Sequence, residues 1–136
     1  MMMTLMMILK MVVIMQRRVT KNKASTRFAS TTQEDRVSNK FGGRVVPNSG
    51  AGLFSKSDVI IDSASLSIEC KTLQKPKDSF SIKKVWIDKH YDEAFANRLC
   101  NTALAFNFNF EDTKDYYVID DKLMKFLVEK LKEEYE

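Results

Sequence analysis

Asp58-Val59-Ile60-Ile61-Asp62, followed after a short turn by Ser67-Ile68-Glu69-Cys70-Lys71-Thr72, is the stretch on which the fold turns. Two apolar runs separated by the small polar residues around Ser63–Ser65 predict a hairpin. Side chains alternate between faces along a strand, so Glu69 and Lys71 share one side and Cys70 takes the other. Asp58, on the neighbouring strand, then reaches the same sheet edge. The surrounding Val59, Ile60, Ile61, Leu66 and Ile68 are residues of central strands, where three ionisable groups call for a reason. The competing reading is an exposed cross-strand ion-pair face, which fits poorly in so apolar a setting.

Upstream, Ser30 or Thr31 followed three residues later by Gln33 or Glu34 is a capping-box pattern. It predicts a helix that sends Phe28, Val37 and Phe41 to the core and stops at Gly42-Gly43. Arg44-Val45-Val46 reads as a short strand closed by Pro47. Residues 48–57, with Gly50 and Gly52 and little to bury, read as a loop. Downstream, residues 73–78 with Pro76 form another loop. A helix from about Ser81 to Leu99 offers Trp86, Ile87, Tyr91, Ala94, Phe95 and Leu99 at helical spacing. Thr102–Phe108 and Tyr116–Ile119 read as strands. Asp120 or Asp121 caps a last amphipathic helix that buries Leu123, Leu127 and Leu131, with Phe126 and Val128 beside them as core or dimer contact. The order helix, strand, strand, strand, helix, strand, strand, helix predicts an α/β protein, a mixed central sheet flanked by helices.

A chain of 136 residues is one domain, which the sequence divides into a leader and arm over residues 1–27 and a folded unit over 28–136. A composition 44% hydrophobic and 29% charged excludes the disordered class. The net charge of +4 permits an acidic partner. Arg17, Arg18, Lys21, Lys23 and Arg27 form one basic cluster, and Lys71, Lys75, Lys77, Lys83 and Lys84 a second, following the candidate site. Two cysteines and one histidine exclude a structural zinc site. Cys70 and Cys100 read as reduced core residues of a cytoplasmic protein. His90, with no partner motif for a nucleophilic triad, reads as a surface residue. Seven of the eight methionines lie in Met1–Met15, an apolar run broken by Thr4 and Lys10. It falls short of the ~20 residues of a membrane span, and its basic residues follow rather than precede it. The expectation is a disordered leader and no membrane partner.

Hydrolysis of a phosphodiester needs a nucleophile at neutral pH, charge compensation on the phosphate and help for the leaving oxygen. Hard cations held by carboxylates supply most of this. Asp58 would bridge the metal, Glu69 would be its second ligand and the carbonyl of Cys70 a third. Lys71 would orient or deprotonate the attacking water, or stabilise the charge that builds on phosphorus. Glu34 is the candidate for a fourth acid, although the capping box accounts for it equally well.

The order Glu34, then Asp58, then Glu69-Cys70-Lys71 resembles the PD-(D/E)xK nuclease superfamily, and the αβββαβ order is similar to its restriction-endonuclease-like core, over residues 29–110. The closer similarity is to small phage-type and Holliday-junction resolvase-like members. It is carried by Ser49-Gly50-Ala51-Gly52, Lys56-Ser57-Asp58-Val59, Glu69–Thr72, Ser79-Phe80-Ser81, the start Lys83, Lys84 and Trp86 of the following helix, and Glu93-Ala94. Ser57 stands where the superfamily's name has proline. The resemblance implies a DNA endonuclease dependent on Mg²⁺ (or Mn²⁺), often a homodimer, that cuts branched DNA in recombination or replication, in the host cytoplasm where phage-encoded. Ser49, Gly50 and Gly52 would approach phosphates closely, and Lys56, Lys83, Lys84 and the basic arm would contact the DNA backbone. Taken alone, Lys83 and Lys84 read as a solvated helix start, and Trp86 as core rather than as a base-stacking surface. The rival readings are a restriction-like or repair nuclease of the same fold, a non-catalytic DNA-binding module, and a protein anchored by its leader.

Overall fold

The computed structural model describes residues 26–46, 59–73, 75–109 and 111–136. The Met-rich leader, most of the basic arm, and Ser49, Gly50, Gly52, Lys56 and Asp58 lie outside the described residues. In chain order the elements are α1 (Thr26–Phe41), β1 (Arg44–Val45), β2 (Val59–Ile61), a 3₁₀ turn (Asp62–Ala64), β3 (Leu66–Lys71), α2 (Lys84–Ala96), β4 (Asn101–Phe106), β5 (Tyr116–Val118) and α3 (Asp121–Tyr135). The expected order of helices and strands is therefore the observed one.

The strands form one mixed sheet in the order β1-β2-β3-β4-β5. β2 and β3 are the predicted hairpin, with Val59 opposite Ile68 and Ile61 opposite Leu66. Its turn ends on Ser65, whose φ of 48° is left-handed. β3 pairs with β4 in parallel, which a hairpin cannot connect, and α2 supplies the crossover. β3 is thus the central strand, while Glu69 and Lys71 lie past the last β2 partner, Ile68, and among the described residues pair with β4 alone.

Opposed residues in a ladder point the same way, so register fixes two faces. One carries Val59 and Ile61, Ile68 and Cys70, and Ala103 and Ala105, which pack with Val37 of α1 as the apolar core. The other carries Ile60, Ser67, Glu69 and Lys71, Leu104 and Phe106, on the side of α2.

α1 begins at Thr26, so it takes in Arg27 of the expected arm, and Ser30 and Thr31 lie inside the helix rather than at its cap. Its buried row is Ala29, Gln33 and Val37, one residue per turn, and the polar Gln33 in the middle masks the apolar period. Phe41, expected in the core, stays 44% exposed and meets Tyr117 edge-on at 5.6 Å. The predicted stop holds. Gly42 takes φ +65° and Gly43 N–H donates to Ser38 O at 2.9 Å, a Schellman closure. Gly43 admits no larger residue, since a Cβ there would lie 2.8 Å from Ile60 O.

α2 is shorter than expected. Ser81–Lys83 precede it, and Leu99 N–H closes its end on Ala94 O at 2.8 Å, with Arg98 at φ 60°. It buries His90 and Ala94, while Ile87, Tyr91 and Phe95 remain exposed. The sequence placed His90 on the surface, which the structure overturns. The reason is one hydrogen bond: His90 Nε2 lies 3.0 Å from Ser67 O, so the turn carrying the imidazole faces the sheet. Of the three apolar residues, Ile87 and Tyr91 line a cavity while staying partly open to solvent. Asp120 caps α3, its Oδ1 accepting from Leu123 N–H at 2.9 Å. None of that helix is buried, and Phe126, Leu127 and Leu131 are 44–56% exposed, so the core position expected for its apolar stripe is not found. Cys70 is buried as expected, whereas Cys100 is exposed.

Candidate active site

Glu69 and Lys71 follow one another on the α2 side of β3, and Lys71 Nζ is 3.5 Å from Glu69 Oε1. Their side chains are 14% and 31% exposed, so the pair is half-sheltered rather than on a solvated face. Lys71 Nζ also sits over the Trp86 ring, 4.6 Å from its centroid, and Lys83 Nζ at 5.4 Å shares that ring. A cation held between a carboxylate and an aromatic face keeps its charge at a defined place with one side free. Lys83 precedes α2 and is exposed, and Lys84 pairs with Asp88, so the solvated helix start read from the sequence is borne out. Trp86, expected in the core, is half-buried at the rim of the site.

Glu69 Oε2 is buried and has no hydrogen-bond partner among the described residues. A carboxylate oxygen in that condition costs on the order of 1–3 kcal/mol or more unless a proton, water or cation meets it. Glu69 lines a cavity of about 240 Å³ beneath α2 with His90, Tyr91, Leu104, Val118 and Asp120. Because a carbonyl only accepts, His90 Nε2 carries the hydrogen given to Ser67 O. Its other ring nitrogen, Nδ1, is also buried without a partner among the described residues. Two residues that each carry a buried polar atom without a partner thus line one cavity, which makes it a candidate place to receive a polar guest.

Cys70 turns its side chain into the core on the opposite face, which leaves only its main-chain oxygen as the expected ligand. Glu34 is half-buried on α1 and has a partner of its own. The turn that carries it is fixed at the end of β3 by its neighbour: Gln33 Nε2 donates to Lys71 O at 3.0 Å and to Asp115 Oδ1 at 3.2 Å. Among the described residues no three His, Cys, Asp or Glu side chains gather as a metal cluster. The donor chemistry present suits a hard cation in one respect, the unsatisfied oxygen of Glu69. The other expected acid, Asp58, is outside the described residues.

The sequence reading missed the network that backs this site. Asp115, with no side-chain exposure, accepts from Arg36 Nε at 2.8 Å and Nη2 at 2.7 Å. Asn107 Nδ2 donates to the same carboxylate at 3.2 Å, and Thr72 Oγ1 donates to Asn107 Oδ1 at 2.7 Å. Burial pushes the Asp115 carboxyl up, but the hydrogen bond and charge of Arg36, with the two amides, hold it on balance below the usual carboxylate range. Burial next to that carboxylate pushes the Tyr117 phenol up to about 12. Together these bonds lock α1 and the segment before β5 onto the ends of β3 and β4. The signal lay in the spacing: Gln33 and Arg36 share the face of Val37, where a surface helix would have apolar residues.

Comparison with known proteins finds no matching family model, no matching curated protein and no matching solved structure. Among the described residues no helix is long and apolar enough to cross a membrane.

Proposed function

We propose that the chain is a metal-dependent DNA endonuclease of the PD-(D/E)xK type, with a restriction-endonuclease-like core, that cuts branched DNA as a Holliday-junction resolvase does. The observation that carries the reading is the Glu69/Lys71 pair: an acid and an ammonium two residues apart on a central strand, half-sheltered, with one carboxylate oxygen unsatisfied. A buried carboxylate oxygen without a partner calls for an explanation, and a bound cation would supply one. Glu69, with Asp58 and the Cys70 carbonyl, would hold Mg²⁺ or Mn²⁺, and such a cation lowers the pKa of bound water and neutralises phosphate charge. Lys71 holds its ammonium against Trp86 and Glu69, from where it orients a water or stabilises the charge growing on the phosphoryl oxygens. Gln33 keeps the end of β3 in register by holding Lys71 O, and Glu34 supplies acid from the same turn. Ser49, Gly50, Gly52, Lys56, Lys83 and Lys84 would contact the DNA backbone. A homodimer belongs to the reading, because paired cuts across a four-way junction take two sites.

The test is cleavage of labelled four-way junction, linear duplex and single strand, with Mg²⁺ or EDTA, by the wild type beside Asp58→Asn and Glu69→Gln. Paired nicks in the junction alone, dependent on metal and on both acids, are expected. Normal turnover by either variant would sink the metal-site assignment. Equal cutting of duplex would move the reading to a restriction-like or repair nuclease, and tight binding without cutting to a non-catalytic module.

A further inference from the structure

Lys71, Phe106 and Tyr116 stand directly opposite one another on β3, β4 and β5, so they form one row across the sheet on the side of Glu69. Other rings extend that row. Phe80, from the segment before α2, lies 5.1 Å from Phe106 at 33° and 6.3 Å from Trp86. Phe106 meets Tyr116 at 5.8 Å, and Phe108 packs edge-on against both. The result is a continuous aromatic strip from Trp86 through Phe80 and Phe106 to Tyr116, beginning at the proposed catalytic lysine.

Two features separate this strip from an ordinary core cluster. Its rings are only half-buried, and Tyr116 is 42% exposed, whereas the core cluster on the α1 face, from Val37 to Ala105, is 0–7% exposed. Both ends of the strip also carry cations: Lys71 and Lys83 over Trp86, and Lys114 Nζ 5.2 Å from the Tyr116 centroid. Lys83 and Lys114 are in no ion pair among the described residues, so their charge is available to an anionic partner. Half-open rings flanked by free lysines match a polymer with flat apolar faces on a chain of negative charges. A paired duplex hides those faces, while an unpaired strand offers them.

We propose that this strip is a stacking platform for the bases of an unpaired DNA segment, with the three lysines meeting its phosphates. The proposal rests on the nuclease reading and deepens it: the unpaired strand would run along the strip to Lys71 and Glu69, so the preferred substrate carries unpaired nucleotides next to the scissile bond.

Trp86 is the one tryptophan of the chain, so its fluorescence reports directly on the strip. The full chain would be titrated in EDTA, where no cutting occurs, with a strand of about twelve thymidines, an abasic strand of the same length, and a duplex. Saturable quenching by the thymidine strand is expected, with affinity at least about ten-fold above the abasic strand. Tyr116→Ala is expected to weaken thymidine binding about ten-fold, equal to ~1.4 kcal/mol, while moving abasic binding less than about three-fold. Tyr116→Phe is expected to bind as the wild type does. Equal affinity for the abasic strand would show that charge alone holds the DNA and would overturn the proposal. So would Tyr116→Phe being as weak as Tyr116→Ala, or Tyr116→Ala lowering all three affinities by one factor. Failure of the cleavage assay leaves these outcomes standing, and abasic binding equal to thymidine binding in a chain that still cuts removes the platform alone.

Discussion

On the α1 side of β3, Ile68 and Cys70 are 2% and 6% exposed, and the polar groups beyond them are tied into the bonds of Gln33, Arg36, Asn107 and Asp115. On the α2 side, one residue along, Glu69 keeps an oxygen without a partner among the described residues, and Lys71 rests on a half-open tryptophan. The same strand therefore has a closed, tightly packed face and a half-open one; buried polar atoms without a partner among the described residues occur on both, Gln33 Oε1 and the Tyr117 hydroxyl on the closed side and Glu69 Oε2 on the open side. The proposed site draws on the half-open face, while the closed face contributes the packing.

Neighbouring residues break this comparison most sharply. Glu69→Gln is expected to reduce metal-dependent cleavage by about 10²–10⁴-fold while shifting stability by less than about 1 kcal/mol. Ile68→Ala, at the adjacent position, is expected to lose about 2–5 kcal/mol in chemical denaturation and to cut DNA at near-normal rate where it remains folded. Each variant needs both measurements. If Glu69→Gln unfolded the chain while Ile68→Ala abolished cutting in the folded state, the two faces would have been assigned the wrong way round.

The Asp115 network sharpens the same contrast through pH. Asp115→Ala leaves Arg36, whose side chain is 16% exposed, without its carboxylate, and is expected to cost about 3–5 kcal/mol. Asp115 has its carboxyl held below its ordinary value of 3.8 in the folded chain. It therefore binds its proton more readily when unfolded. Its contribution is complete above the unfolded value and is lost as pH falls through the lower, folded one. Denaturation midpoints of the wild type are expected to drop as pH falls below about 4, more steeply than those of Asp115→Ala. Parallel acid limbs in the two proteins would show that another carboxylate governs the transition.

The element order, the β2–β3 hairpin, the glycine stop of α1 and the shared face of Glu69 and Lys71 were legible, because each follows from local rules of period, turn and chirality. Tertiary choices were not. Gln33 is buried because strand-end carbonyls and Asp115 lie above it, and no helical periodicity announces a polar core residue. His90 is buried because Ser67 O is within reach of it. The aromatic strip depends on register between three strands and two connecting segments, which spacing along one strand cannot supply. Of the acids, sequence placed Glu69 well, whereas Glu34 was tied to a cap that the longer α1 does not have.

α3 marks the limit of what period reveals: its stripe was read correctly as a stripe, but amphipathicity does not say what covers it. No residue of the helix is buried, and its side-chain tether to the strands' end is Lys122 Nζ donating to Cys100 O at 3.0 Å. A helix of 15 residues held so lightly depends on its own cap more than on the core. Asp120→Ala is expected to cost that helix about 0.5–2 kcal/mol. Since α3 shares little with the sheet, the loss is expected as faster hydrogen exchange across its first turns, with the global denaturation midpoint almost unmoved. A midpoint that falls by the full cap energy would place α3 within the same cooperative unit as the closed face of β3.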